Sequence, residues 1–235
     1  MFKTSFKEFV NHGCNKDFFI GTGNPNASIL LVGRESAIDP NDSFGMNQYS
    51  ANARTWQNHC DNNTCEVLEY IVQQGDSLSK GWGSNTWSKY QKLLDLVRQK
   101  STHRKVDFLR YAFTTEINDA PSLRTSMALK DSLKQRKELF KNTDFIQEFP
   151  IVILACSNYF VNSGDTMEIN NVFGVEYANI CKIYTKYNWF YVHYNSDKTK
   201  MVIHTRNLNS NVKSELLEDL AILIKDHLNK LKIQL

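Results

Sequence analysis

The sequence predicts an α/β protein, a three-layer α/β/α sandwich with a mainly parallel central sheet. Three observations lead there. Two continuous apolar runs, Ile29 to Val32 and Ile151 to Cys156, are rich in β-branched residues and bounded by turn signals, the pattern of strands buried on both faces. Stretches with apolar residues at helical spacing lie between and after them. Strand and helix patterns alternate along the chain, which favours a parallel sheet covered by helices.

Taken in order, residues 3–12 read as a short helix with Phe6, Phe9 and Val10 on one face. Phe18, Phe19 and Ile20 lead into Gly21-Thr-Gly-Asn-Pro-Asn26, a turn-rich approach to the first strand. Gly33 ends that strand, and the loop beyond carries Glu35 and Asp39. Residues 41–49 read as a long polar loop holding Phe44 and Tyr49, a place for a substrate-facing segment. A helix is expected over 66–74 and a glycine-bearing loop over 75–84. Thr86 caps a helix whose Trp87, Tyr90, Leu94 and Val97 fall on one face as core.

Residues 98–105 read as a basic, solvated stretch. A second strand is expected over 107–115, ending near Glu116-Ile-Asn118, with helical structure over 123–149. Ser157-Asn158 closes the second apolar run. A further helix is expected over 170–184. Strands over 189–194 and 200–205 form a hairpin around a turn at 195–198. The last helix, 211–232, buries Leu217, Leu220, Ile224, Leu228 and Leu231.

The 235 residues are 41% hydrophobic and 23% charged, without a Pro/Ser/Gly linker, charge block or repeat. One domain over 1–235 is the expectation. A net charge of +3 permits a nucleic-acid partner without demanding one. No apolar run reaches membrane-spanning length, and the first residues lack the apolar core of a signal peptide. The five cysteines, odd in number and widely spaced, argue against a disulfide framework and fit a reducing cytoplasm. His59, Cys60 and Cys65 make half of a metal-ligand pattern, but no second half follows. No metal or other cofactor is expected, and no protein partner is implied.

Parallel strands bring their C-terminal ends to one edge, where open α/β sheets bind ligands. Here those ends offer Gly33-Arg-Glu35, Glu116-Ile-Asn118 and His204-Thr-Arg-Asn-Leu208. A carboxylate, an amide and an imidazole would share a cleft, with Phe44 nearby.

At these residues the chain resembles the uracil-DNA glycosylase superfamily. Gly-Thr-Gly-Asn-Pro-Asn-Ala-Ser-Ile-Leu-Leu-Val-Gly is similar to the approach to that family's first motif. Glu35, two residues after Gly33, stands where the family has its water-positioning residue. His204 and Leu208 match the histidine of the last motif and the leucine that wedges into the base stack. Asn118 is the nearest match to the base-reading asparagine. The strand order along the chain and the closing helix also match. Pro40 comes later than the family's proline, and Thr205-Arg206 stand in place of Pro-Ser. The cysteine spacing does not fit the iron–sulfur cluster of some members. The resemblance implies a uracil-DNA glycosylase-like fold and a hydrolase of DNA repair.

The chemistry can also be stated from the residues. Breaking an N-glycosidic bond builds positive charge on the sugar and negative charge on the departing base. Glu35 would stabilise the first and orient water; His204 or Arg206 would stabilise the second. The extruded base needs a platform such as Phe44 and a wedge such as Leu208, and Arg206 and the basic residues of 98–110 suit phosphates. Each has a plainer alternative: Glu35 as a cap or partner of Arg34, His204 as a hydrogen-bonded core histidine, Phe44 as loop packing, Asn118 as a turn former, Leu208 as a staple on the last helix. Three classes stay open. They are an N-glycosylase acting on DNA or a nucleobase-containing small molecule, a binding module with altered chemistry, and a structural protein whose cleft is filled by side chains.

Overall fold

The computed structural model describes residues 1–64, 66–68, 82–100, 106–209 and 211–235. The helix expected over 66–74, most of the loop over 75–84, Cys65 and the basic residues 101–105 lie wholly or mainly outside them.

The strands are β1 (Thr22–Gly23), β2 (Ile29–Gly33), β3 (Phe113–Glu116), β4 (Ile151–Leu154), β5 (Asn162–Ser163), β6 (Thr166–Met167), β7 (Glu176–Thr185), β8 (Asn188–Tyr194) and β9 (Met201–Thr205). A seven-stranded sheet has the order β1-β3-β2-β4-β9-β8-β7, and β5 pairs with β6 apart from it. The block β3-β2-β4-β9 is parallel, with Leu31 beside Thr114 and Ile153, and Leu154 beside His204. β1 is antiparallel on one side; β8 and β7 follow as antiparallel strands on the other. The chain forms β3 on one flank of β2 and then β4 on the other. The gap between β2 and β4 is therefore the topological switch point of the sheet.

The helices are α1 (Thr4–Lys16), α2 (Ser43–Ser50), α3 (Asn52–Asp61), α4 (Thr86–Arg98), α5 (Leu133–Lys141), α6 (Asp144–Gln147), α7 (Glu168–Phe173) and α8 (Ser214–Lys230). Alternation along the strands divides the core in two. Leu30, Val32, Val152, Leu154 and Val202 pack under the α1, α3 and α5–α7 side with Phe6, Phe9, Trp56 and Phe145. Ile29, Leu31, Ile151, Ile153 and Ile203 pack on the opposite side against Tyr90, Leu93 and Leu94 of α4 and Leu217, Leu220 and Ile224 of α8. Every residue of β2, β4 and β9 is buried. Each large apolar side chain so buried contributes about 1.5–3 kcal/mol.

Several expectations need correction. Residues 41–49 are largely helical, because Asp42 caps α2 by accepting from Gly45 N at 3.1 Å. The helix expected over 123–149 is broken into a loop, a short 3₁₀ turn, α5 and α6. The strand expected over 107–115 begins as a 3₁₀ turn at Phe108–Arg110 and is extended only from Phe113. Most consequentially, 170–184 is not one helix. α7 stops at Gly174 in the left-handed conformation, and the chain continues as the ten-residue β7 paired to β8. Isoleucines and tyrosines suit a strand as well as a helix, and the partner strand decides. No helix is long and apolar enough to cross a membrane among the described residues.

Candidate functional site

The switch point is framed by the ends of β2, β3, β4 and β9. Arg34 and Glu35 leave β2, Glu116 ends β3, Cys156 and Ser157 follow β4, and His204 to Asn207 close β9. Ser157 is the hub. It stands at φ 54°, a conformation unusual for a residue with a side chain. Its hydroxyl oxygen accepts from Arg34 Nη2 at 2.6 Å and from the Asn207 backbone N–H at 3.0 Å. Its carbonyl accepts from His204 Nε2 at 2.7 Å. Arg34 Nη1 also reaches Thr125 Oγ1 at 3.3 Å, while its buried Nε has no partner among the described residues. The Tyr159 hydroxyl donates to Glu35 Oε2. Burial pushes that phenol's pKa up first, and the Glu35 bond pushes the same way.

Glu116 is the unusual group. Its Oε2 is fully enclosed and has no hydrogen-bond partner among the described residues. Burial pushes its pKa up to about 8, the Glu35 charge adds to the rise and Arg136 opposes it. Gly33 explains how it fits: a Cβ on Gly33 would stand 2.1 Å from Glu116 Oε2. The strand-ending glycine makes room for a carboxyl on the neighbouring strand. Near neutral pH Glu116 tends to keep its proton, first because burial disfavours the charged carboxylate and second because of the Glu35 charge.

The candidate residues fall into two groups. Gly33, Glu35, His204 and Arg206 do meet at this edge. His204 is 8% exposed and kept neutral mainly by burial. Its Nε2 proton is spent on Ser157 and its ring packs on Trp189 at 5.0 Å. As placed, it positions Ser157 rather than offering a proton to a ligand. Arg206 donates to Asn209 Oδ1 at 2.8 Å, and burial and then the nearby Arg34 charge lower its pKa. Two guanidinium groups therefore sit close together at the switch point.

Asn118, Leu208 and Phe44 are placed otherwise. Asn118 is fully buried, donates to Leu129 O at 2.8 Å and accepts from Ser132 Oγ at 3.0 Å. Its amide ties down the loop after β3 and also contacts the Tyr159 hydroxyl, which weakly opposes the burial-driven rise of that phenol's pKa. Leu208 is fully buried in the core beside α8 and does not protrude as a wedge. Phe44 is 71% exposed on α2. Among the described residues, the exposed apolar side chains on the loop between β3 and α5 are Leu123, Met127 and Leu129. That loop is held to the edge by Ser122 N to Ser36 O at 2.9 Å and by Lys130 over the Tyr159 ring.

Sequence reasoning passed over Ser157, Tyr159 and Glu116 as site residues. The signal was present, since Glu116 and Ser157 are among the first polar residues after their buried strands. A deep polar group at a strand end is costly unless it is used. Comparison of the chain with protein-family models, with curated proteins and with solved structures finds no match.

Proposed function

We propose that the chain is a divergent uracil-DNA glycosylase-like protein that hydrolyses the N-glycosidic bond of a damaged or deaminated base. The carrying observation is the carboxyl pair, with protonated Glu116 enclosed against Gly33 and Glu35 at the end of the neighbouring strand. That leaves Glu35, at the end of β2, as the carboxyl that faces the reaction. The C1′–N bond breaks with its electron pair leaving on the base. Glu35 stabilises the cationic sugar and takes a proton as water adds to C1′. Arg34 and Arg206 suit the flanking phosphates. Leu123 and Met127 are better placed than Leu208 for the role of a wedge.

One observation favours a second reading. The Arg34–Ser157 and Tyr159–Glu35 bonds both span the switch point, as in a nucleotide-binding module of the same fold that lacks the chemistry. An assay for abasic sites in labelled oligonucleotides carrying uracil, hypoxanthine or xanthine separates the two. Under the enzyme reading one base is excised and Glu35→Gln lowers the rate by roughly 10²–10⁴-fold. A folded protein that excises none of them, from single strands or duplexes, rejects excision of these bases and leaves the binding module.

A further inference from the structure

Beyond β9 the sheet carries a face that the helices leave open. Trp189, Tyr191 and His193 alternate along β8 and share that face, as do His204 opposite Tyr191 and Tyr177 opposite His193. Their rings run in an unbroken series. His204 meets Trp189 at 5.0 Å, Trp189 meets Tyr191 at 5.5 Å, Tyr191 meets Tyr177 at 6.0 Å, and Tyr177 meets His193 at 5.6 Å. α7 and β5 cover this side only as far as His193, which Asn162 contacts at 3.3 Å. Past it, Tyr177 is 37% and Ile183 62% exposed. The series begins at the switch point, since His204 is bonded to Ser157 and Ser157 to Arg34.

Charge and shape single out an occupant. At the Trp189 end stand Arg34 and Arg206. The tip of the β7–β8 hairpin adds exposed Lys186, 4.8 Å over the Tyr187 ring. Aromatic faces bordered by cations suit bases joined by phosphates. The four steps of β8 from Trp189 to His193 span about 13 Å at about 3.3 Å per residue, room for about two or three stacked bases. Bases in a duplex have their faces already covered by their neighbours. A second copy of the chain on this face would bring the same cations together.

We infer that the open face of β8 and β7 binds single-stranded nucleic acid, with bases on Trp189, Tyr191 and Tyr177 and phosphates at Arg34, Arg206 and Lys186. This deepens the proposed function by naming the form of the substrate, and rests on that reading for the substrate being a nucleic acid. The strand is led from the hairpin past Trp189 toward Glu35.

The test is fluorescence anisotropy of a labelled, undamaged oligonucleotide of mixed sequence, alone and annealed to its complement, titrated with the full chain at low and moderate salt. The single strand is expected to bind roughly tenfold or more tighter than the duplex, and more weakly as salt rises. Trp189→Ala should weaken it roughly tenfold, and Trp189→Phe, which keeps a stacking ring, should restore most of that. Tyr177→Ala, at the exposed rim, should give a smaller loss and guards against unfolding by the first substitution. Equal affinity for strand and duplex, or variants that bind like the parent, overturns the inference. So does a dimer in light scattering that Ile183→Asp dissolves while no strand binds. Strand binding with no excision of any base keeps the inference and rejects the glycosylase; excision from duplex alone, without single-strand affinity, does the reverse.

Discussion

The parallel half of the sheet and its antiparallel margin are built on opposite principles. In β2, β4 and β9 every side chain is enclosed, and polarity is confined to the strand ends. In β7 nearly every residue is exposed or half-exposed, and polar and apolar side chains mix along its length. Enclosure on both faces gives the parallel block a fixed register, so the groups at its ends are held where packing puts them. That is how Glu116 Oε2 comes to be enclosed with no hydrogen-bond partner among the described residues. The margin has no such constraint, and Tyr177 stays 37% exposed at its rim.

The largest effect should separate the two halves by stability. Leu31→Ala, in the enclosed block, is expected to cost about 2–5 kcal/mol, whereas Ile183→Ala, on the margin, should cost less than about 0.5 kcal/mol. Denaturant unfolding checks both, and similar losses would erase the contrast.

Next comes the carboxyl at the end of β3. The folded pKa of Glu116 lies near 8, above its ordinary value of 4.5. The folded protein thus holds a proton that the unfolded chain releases. The contribution is complete below the unfolded pKa and is lost as pH rises through the folded one. Glu116→Gln should remove that slope and stabilise the protein by about 1–3 kcal/mol near pH 7.5. Thermal melts across pH 4–9 read it, and parallel curves for parent and variant would show that Glu116 titrates normally.

Gly33→Ala tests the same contact from the other strand. The new Cβ would push Glu116 out of its enclosure, at a cost of about 1 kcal/mol or more. The pH slope should shrink because the displaced carboxyl meets water. An unchanged slope would place the carboxyl elsewhere.

The smallest effect lies at the margin. Asp219 of α8 accepts from Lys182 and Tyr184 of β7, and the lysine is 54% exposed. Lys182→Ala should cost about 0.2–1 kcal/mol and less in salt. A larger, salt-independent loss would mean that the margin is held as rigidly as the centre.

How legible each region was in the sequence follows the same division. The two apolar runs announced β2 and β4, and the stripe of Leu217, Leu220, Ile224 and Leu228 announced α8, because full burial leaves an unmixed pattern. In β7 the isoleucines and tyrosines suit a strand as well as a helix, and only pairing with β8 chooses. At the site, Gly33 and Glu35 stood out by position. Asn118 and Leu208 matched by residue type, yet their surroundings use the amide to tie a loop and the leucine to fill the core.

The sequence by itself determined the buried strands, the closing helix and the polar residues that follow them, since burial acts residue by residue along the chain. Only the tertiary structure decided that Glu116 lies against Gly33, that Ser157 gathers Arg34, His204 and Asn207, and that an aromatic face extends from His204. Those contacts join residues far apart in the chain, and their energies depend on distances and shielding that exist only once the strands stand side by side.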